Sequence, residues 1–466
     1  MLNAILPRRG NGRAAVNDNP DGATLAFHQW VAQDYARQQA HYVRLRAWYD
    51  GAHDVPLTAR QAQYLATDPE FDWSINYLRL PVELAVERLS VLGFDGPDGI
   101  GGVGGLLDEW WTSGRMDAIQ NQVHRAAVRD GDTYVLVEWD NENGRPVFSH
   151  EPAYDGVDGM KVHYLSNLKR EMTMASKVWS ESRFDENGRM QTVRRLNLYT
   201  PSAIERYVNT GQGWRPLETP GEPWPVPWPM GIIPVVHFRW RDDGGNWGES
   251  ELESLIPLQQ AINKAALDEM ETADKTGAQL LTLTGAMWPA DAPDVAAGDV
   301  LSVSSPTASW GSVPPGDLSQ LRERINDYIV RIAQVAHIPL QYFQVTGQIA
   351  SAATQAADDS QLVAKVASEA VALGNAWEDV AYIALKMNQV YGDGRDLKRG
   401  ENVATRWADF ERVDRMQADE RRAAIVATLV NAGVSLSGAL SLDSLGYTEE
   451  ERRLMLQGDA VDGITQ

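Results

Sequence analysis

Ser250-Glu251-Leu252-Glu253 opens a segment with helical periodicity that continues to about Lys275, and Leu318 begins a second that runs to Ala336; residues 276–317 between them read differently. The Ser-x-x-Glu spacing can satisfy orphan amide donors at a helix start. In the second segment Leu318, Leu321, Ile325, Tyr328, Ile332 and Val335 recur every three or four residues, while Arg322, Glu323, Asn326, Asp327 and Arg331 fall on other faces. That pattern predicts one buried stripe. Pro257 complicates the first segment, because a proline beyond the first turn costs about 3 kcal/mol unless the helix bends; a kink, or a start near Ser254, is expected. The insert offers strands at Leu280 to Leu283 and Val300 to Val303, separated and followed by Trp288-Pro289, Pro306, Trp310-Gly311 and Pro314-Pro315-Gly316. A helix out, a small insert and a helix back make a protrusion. An insert this short needs outside support for its core, and oligomerisation is the source when cysteine and metal ligands are absent.

Composition sets the limits. The 466 residues, 43% of them hydrophobic, suffice for about three packed domains. No run of eighteen apolar residues occurs, and Arg8, Arg9 and Arg13 follow only a short apolar stretch. Neither a signal peptide nor a membrane anchor is expected, which points to a soluble cytoplasmic protein. The absence of cysteine removes disulfides, thiolate metal sites and thiol nucleophiles together. A net charge of -22 without a basic stripe is the opposite of what a phosphate-gripping protein shows. If the chain handles nucleic acid, it confines it.

Taken in order, residues 1–23 read as a mobile tail, 24–49 as a helix stopped at Gly51, and 76–91 as a second helix with Pro81 in its first turn and Gly93 as its stop. A Gly-rich linker at 99–105 leads into a helix at 106–129. Strands follow at 132–140 and 146–150 across Asn143-Gly144, at 172–183 and 189–199 across 185–188, with a third hairpin turning at 211–213: an antiparallel meander. Residues 231–238 read as a buried strand. The longest helical signal covers 351–390, rich in alanine and about 60 Å long at 1.5 Å per residue. Its Asp358, Asp359, Glu369, Glu378 and Asp379 outnumber Lys365 and Lys386, predicting an acidic surface. A short strand at 404–410, a helix at 414–432, two short helices within 436–456 and a frayed end complete the chain.

Several motifs invite a chemistry that their context does not support. Gly99 to Gly105 contains Gly-x-Gly-x-x-Gly, but the surrounding chain lacks the strand-helix-strand repeat of a dinucleotide site. The run Pro223-Trp224-Pro225-Val226-Pro227-Trp228-Pro229 reads as an extended strap rather than a carbohydrate platform, and Asp242-Asp243-Gly244-Gly245-Asn246 as a solvated turn rather than a calcium loop. The eight histidines show no metal-ligand spacing, no phosphate-binding loop of the ATPase type is present, and no catalytic carboxylate pair stands out. The expectation is a protein with no catalytic residues, cofactor or metal. A carbohydrate-active enzyme using the tryptophans, or a structural or adaptor protein of a different kind, are the alternatives.

The order of these parts, from about residue 24 to 456, resembles the portal proteins of tailed bacteriophages, the head-to-tail connectors. The likeness rests on Trp48-Tyr49-Asp50-Gly51 after the first helix, Asn76 to Phe94, Ala127-Val128-Arg129-Asp130-Gly131-Asp132 before a strand, Gly231 to Phe238 before the first long helix, and His337-Ile338-Pro339 with Gly347 and Ser351. It implies an α+β subunit with a wing at 24–249 joined by the strand at 404–410, stem helices at 250–275 and 318–337, a clip at 276–317, a tunnel loop at 338–350, a tunnel helix at 351–390 and a crown at 411–456. It further implies a homo-oligomeric ring, usually a dodecamer, at one capsid vertex, through which double-stranded DNA is packaged and ejected without sequence specificity. Its implied partners are the large terminase ATPase, the major capsid and scaffolding proteins and a head-completion adaptor, with no membrane. On this resemblance Gln344, Thr346, Gln348, Ser351, Asp358, Asp359 and Lys365 are expected to line the DNA tunnel. Trp288, Asp291, Asp294 and Trp310 are expected to meet partners from the clip.

Overall fold

The computed structural model describes residues 24–32, 36–53, 75–96, 102–165, 171–184, 188–276, 280–285, 309–313, 318–343, 352–392, 403–410 and 423–430, with a few isolated positions besides. The chain divides into two compact units, one of Met1–Tyr49, Arg79–Glu253 and Gly347–Gln466, the other of Asp50–Leu78 and Ser254–Thr346. The fold is mixed α+β with antiparallel sheets.

In the first unit, the helix expected over 24–49 is described in two stretches, α1 (Leu25–Ala32) and α2 (Ala36–Asp50). The next helix is shorter than its periodicity suggested. α3 (Arg79–Val86) holds Pro81 in its first turn as anticipated, but Gly93 does not stop it. That glycine lies inside β1 (Val91–Asp95) at φ 152°, where the pairing with β13 (Ala404–Trp407) shifts register. A Cβ there would stand 2.3 Å from an Asp108 carboxylate oxygen, so close packing rather than helix termination requires the glycine. The helix expected at 106–129 is two, α4 (Val103–Ser113) and α5 (Met116–Asp130), broken where Arg115 turns left-handed at φ 54°. The Gly-rich run is partly helical: Gly104 lies in the first turn of α4, and a Cβ on it would stand 2.9 Å from the Phe94 carbonyl oxygen.

Three layers follow. β2 (Asp132–Asp140) is the middle strand of a sheet ordered β10-β2-β3, with β3 (Arg145–Pro152) and β10 (Val235–Arg239) on its edges. Side chains alternate across it. Tyr134 and Leu136, with Val235, face a six-stranded sheet made of β4 (Gly159–Tyr164), β5 (Met172–Phe184), β6 (Met190–Tyr199), β7 (Ala203–Asn209), β8 (Trp214–Pro216) and β9 (Val226–Pro227). On the opposite face, α5 and the helix α8 (Ala352–Tyr391) pack against β2, and Phe238 meets Trp377 at 4.7 Å. Burial on both faces explains why β2 reads as a continuous apolar run. The expected hairpins all form; β4 had no distinct sequence signal and was not anticipated. The Trp/Pro strap pairs with β7, Trp224 donating Nε1–H to the Arg206 carbonyl at 3.1 Å and Trp228 to that of Ile232 at 2.6 Å. Both indoles are thereby committed to structure. The anticipated unbroken helix appears as α8, 40 residues long, with Gly374 allowing Thr405 and Trp407 to approach its backbone.

The second unit contains α6 (Ile256–Thr276) and α7 (Ser319–Ala336), which pack together, and an antiparallel pair, β11 (Leu280–Thr284) with β12 (Ser309–Val313). α6 begins six residues after Ser250, so Pro257 falls in a first turn and no kink is needed. Ser250 and Glu253 therefore do not form the expected reciprocal cap: the Ser250 hydroxyl accepts from the Leu252 amide and donates to the Arg129 carbonyl. The partner of β11 is 309–313; Val300 to Val303 lies outside the described residues, as do the tail at 1–23, the two short helices expected within 436–456 and the end of the chain. Of the helix expected at 414–432, residues 423–430 are described and helical. On α7 Ile332 is buried and Leu321, Ile325 and Tyr328, with Leu318 at the N-cap, are half-buried, as the stripe read in sequence requires, with Ile329, Ala333 and Ala336 buried beside them; Val335, 42% exposed, is the position that departs from it. His337 ends the helix left-handed at φ 55°.

Polar side chains organise this unit. Gln259 and Asn263, one turn apart on α6, are fully buried. Gln259 accepts from the Tyr77 amide at 2.9 Å and donates to the Ile75 carbonyl at 2.7 Å; Asn263 accepts from the Ile75 amide at 3.3 Å and donates to His53 Nε2 at 2.8 Å. The helix thus supplies residues 75–77 with the bonds a neighbouring strand would give. Gln259→Leu orphans two backbone groups at about 1–3 kcal/mol each. Hydrogen exchange at the Tyr77 amide should accelerate and the thermal midpoint should fall; unchanged exchange at Tyr77 would show that the ladder is dispensable.

Candidate channel and assembly surface

The charges of α8 are spent inward to a degree the sequence did not reveal. Asp359, the second acidic residue of the expected tunnel lining, is 5% exposed and accepts from Arg88 Nη2 at 2.8 Å, while Arg88 Nη1 also donates to the Leu84 carbonyl. Lys365 donates to Glu251 at 2.7 Å. Glu251 is fully buried and also receives Arg241 at 3.0 Å and the Trp240 indole at 3.2 Å, so one carboxylate joins α8 to the loop after β10. Glu369 accepts from the Arg241 amide at 3.0 Å and Glu378 from the Thr405 amide at 3.1 Å. Burial raises the pKa of both glutamates, against the opposing effect of those hydrogen bonds. Within the subunit, Asp359 is thus enclosed by its own chain and Lys365 is held by its own ion pair. The expected acidic face of α8 is correspondingly reduced. The side chain of Asp358 lies outside the described residues, as do Gln344, Thr346, Gln348, Ser351, Trp288, Asp291 and Asp294; Trp310 falls on β12, its side chain likewise outside.

Sequence reading missed the polar centre of the first unit. Asp132 accepts from the Tyr42 hydroxyl at 2.8 Å and the Gly248 amide at 2.8 Å, and its Oδ1 lies 2.8 Å from His237 Nε2. The other His237 nitrogen meets the Tyr164 hydroxyl at 2.7 Å, which Arg239 also reaches at 3.1 Å. Desolvation lowers the His237 pKa, with Asp132 pulling the other way. Beside it, Asp130 is held by Arg46 at 3.0 Å and Arg129 at 2.7 Å. The available signal was the Asp130-Gly131-Asp132 triplet before a strand, quoted above only as a point of likeness. In the Asp242–Asn246 turn the carboxylates accept from Arg239 and from the amides of Gly244 and Gly245. They fold their own loop.

The α7 surface is mixed. Arg322, Arg324 and Arg331 are exposed alongside Glu323 and Asp327, and Arg322 reaches Glu269 of α6 at 2.7 Å. Among the described residues, no helix is long and apolar enough to cross a membrane.

With this geometry in view, comparison with known families is decisive: the model for phage portal proteins of the SPP1 Gp6-like type matches residues 29–441. The chain belongs to the phage portal protein family. Comparison with curated proteins finds no match. The family is a structural one without catalytic function, and membership implies, in general terms, an oligomeric ring in the virion that meets the capsid and the packaging machinery.

Two outcomes follow from the buried groups. Arg88→Ala removes the buried guanidinium that faces Asp359 and should cost about 3–5 kcal/mol, whereas Arg88→Met with Asp359→Leu should lie close to the parent; urea unfolding of the two variants separates a structural ion pair from an incidental one. Histidines add a pH dependence. His124 is fully buried, bonded to the Leu89 carbonyl and to Trp377 Nε1–H, and desolvation lowers its pKa to about 4; burial likewise takes His150 to about 4 and His163 to about 3. In the unfolded chain these rings bind protons below about 6.5 while the folded rings do not, so stability is complete above that pH and declines toward pH 4. His124→Gln should flatten the decline of thermal midpoint between pH 6.5 and 5; an unaltered slope would clear His124 of any part in it.

Proposed function

We propose that this chain is the subunit of a ring at one capsid vertex that conducts double-stranded DNA during packaging and ejection, and that docks first the terminase ATPase and later a head-completion adaptor. Residues 24–249 with the strand at 404–410 are the wing, 250–275 and 318–337 the stem, 276–317 the clip, 338–350 the tunnel loop, 351–390 the tunnel helix and 411–456 the crown. The observation that carries this reading is the family match across 29–441. The pairing of α6 with α7 around β11 and β12 agrees with a stem that carries a clip.

Lumen contacts fall in this reading to Gln344, Thr346, Gln348, Ser351 and Asp358. Polar residues without positive charge let a phosphate backbone slide, because each added cation would release counterions and strengthen the grip to be broken at the next step. Trp288, Asp291, Asp294 and Trp310 of the clip are assigned to the motor and adaptor.

Electron microscopy of the purified full-length protein should show closed rings with an axial channel, twelve-fold in the expected case. Gln344→Lys combined with Gln348→Lys should leave those rings intact and slow packaging of DNA into proheads by an order of magnitude at low salt, with partial relief as ionic strength rises. Packaging at the parental rate would remove the tunnel assignment, and a protein that never forms rings would remove the whole reading.

A further inference from the structure

Two features at opposite ends of β5 have no role in the reading above. At one end Phe184 stands directly opposite Met190 of β6, and the two are 73% and 68% exposed. Directly opposed residues of an antiparallel pair project from the same face, so they form one apolar knob at a hairpin tip. At the other end Met172 lines a cavity of about 190 Å³. Ile232, Val235, Val236 and Ile383 form its apolar wall, and His237, Arg239, Asp379 and Tyr382 its polar one. Val235 and Val236 point to opposite faces of β10, so the cavity wraps the edge of that strand away from β2, between the layer of α8 and that of β4 and β5. A volume of roughly 150 Å³ admits a benzene ring, so this open pocket has room for a phenyl group against its apolar wall.

Strand β5 has 13 residues, which separates knob from cavity by about 40 Å. The hairpin cannot fill the cavity of its own subunit. A ring generated by rotation requires each copy to carry two unlike surfaces, one for each neighbour. We propose that Phe184 and Met190 of one copy seat in the β10-edge cavity of the next, a contact that rests on the ring reading above.

The cysteine-free chain makes the test clean. Full-length Met190→Cys/Ile232→Cys protein, assembled and treated with a short bis-maleimide, should give a ladder of covalent oligomers ending at the whole ring, with each single variant remaining monomeric on denaturing gels. Rings visible by microscopy that yield no ladder would overturn the contact and leave the ring reading standing; a parent that forms no rings would overturn both. Phe184→Asp, a substitution at an exposed position, should lower the assembled fraction at least ten-fold with the subunit's thermal midpoint and circular dichroism unchanged. Parental assembly by that variant would also sink the proposal.

Discussion

Gly131 and Gly248 mark the place where the chain crosses itself at backbone distance, and the first unit is arranged around that crossing. A Cβ on Gly248 would lie 2.2 Å from the Gly131 carbonyl oxygen, and one on Gly131, held at φ 85°, would lie 3.0 Å from the Gly248 carbonyl oxygen. Neither position tolerates a side chain. The approach is secured by amides: Trp240 donates to the Gly131 carbonyl at 2.9 Å, Gly248 to Asp132 at 2.8 Å and Glu251 to the Val128 carbonyl at 3.0 Å. The end of α5, the start of β2, the exit of β10 and the stretch before Ser254 are thereby tied at one point. Asp132 accepts three hydrogen bonds there, one of them through His237, which links β2 to β4 by way of Tyr164.

From that crossing the order extends to α8 through Glu251. A fully buried carboxylate is costly unless its charge is compensated on several sides. Here Arg241, Lys365 and the Trp240 indole all converge on it, and Arg241 adopts a left-handed backbone at φ 48° while its amide meets Glu369. The strained residue is over-determined by contacts on both its side chain and its backbone. Arg88 and Asp359 repeat the device near the start of the helix. Such pairs fix the register of a long alanine-rich helix whose small side chains alone would allow sliding; this is how a 40-residue helix acquires a single position.

Sequence reading recovered what local periodicity encodes. The hairpins at 143–144, 185–188 and 211–213, the long helix, and α7 with its His337 stop were legible because turn residues and three-to-four spacing are local signals. The errors share a cause. Gly93 was read as a helix stop and is a strand residue pressed against Asp108; Gly104 was read as linker and is a helix residue pressed against Phe94; Ser250 was read as a cap and is bonded to Arg129, 121 residues earlier. Each of these residues answers to a neighbour distant in sequence, and nothing nearby announces it. Asp359 is a further case: in sequence a carboxylate looks alike whether it faces solvent or an arginine 271 positions away. The family likeness succeeded for the converse reason, since it drew on the order of many parts and not on any one residue's surroundings.

The net charge of -22 must then be read by location. Asp359, Glu251, Asp130 and Asp132 are buried and matched by cations or hydrogen-bond donors, so they add little to the field outside the subunit. The exposed surface of α7 alternates three arginines with two acids and is not acidic at all. Because screening confines a surface charge's influence to about 8 Å at physiological ionic strength, DNA in the channel proposed above would respond to the side chains in front of it and not to the sum over 466 residues. A wall of mixed sign still permits sliding, provided that its cations are spaced and already engaged with carboxylates, as Arg322 is with Glu269. Each phosphate contact then replaces an existing ion pair, and the net gain at any one register is small. Low friction arises from that exchange as readily as from uniform repulsion, and the exchange has the further merit of leaving adjacent subunits attractive to one another.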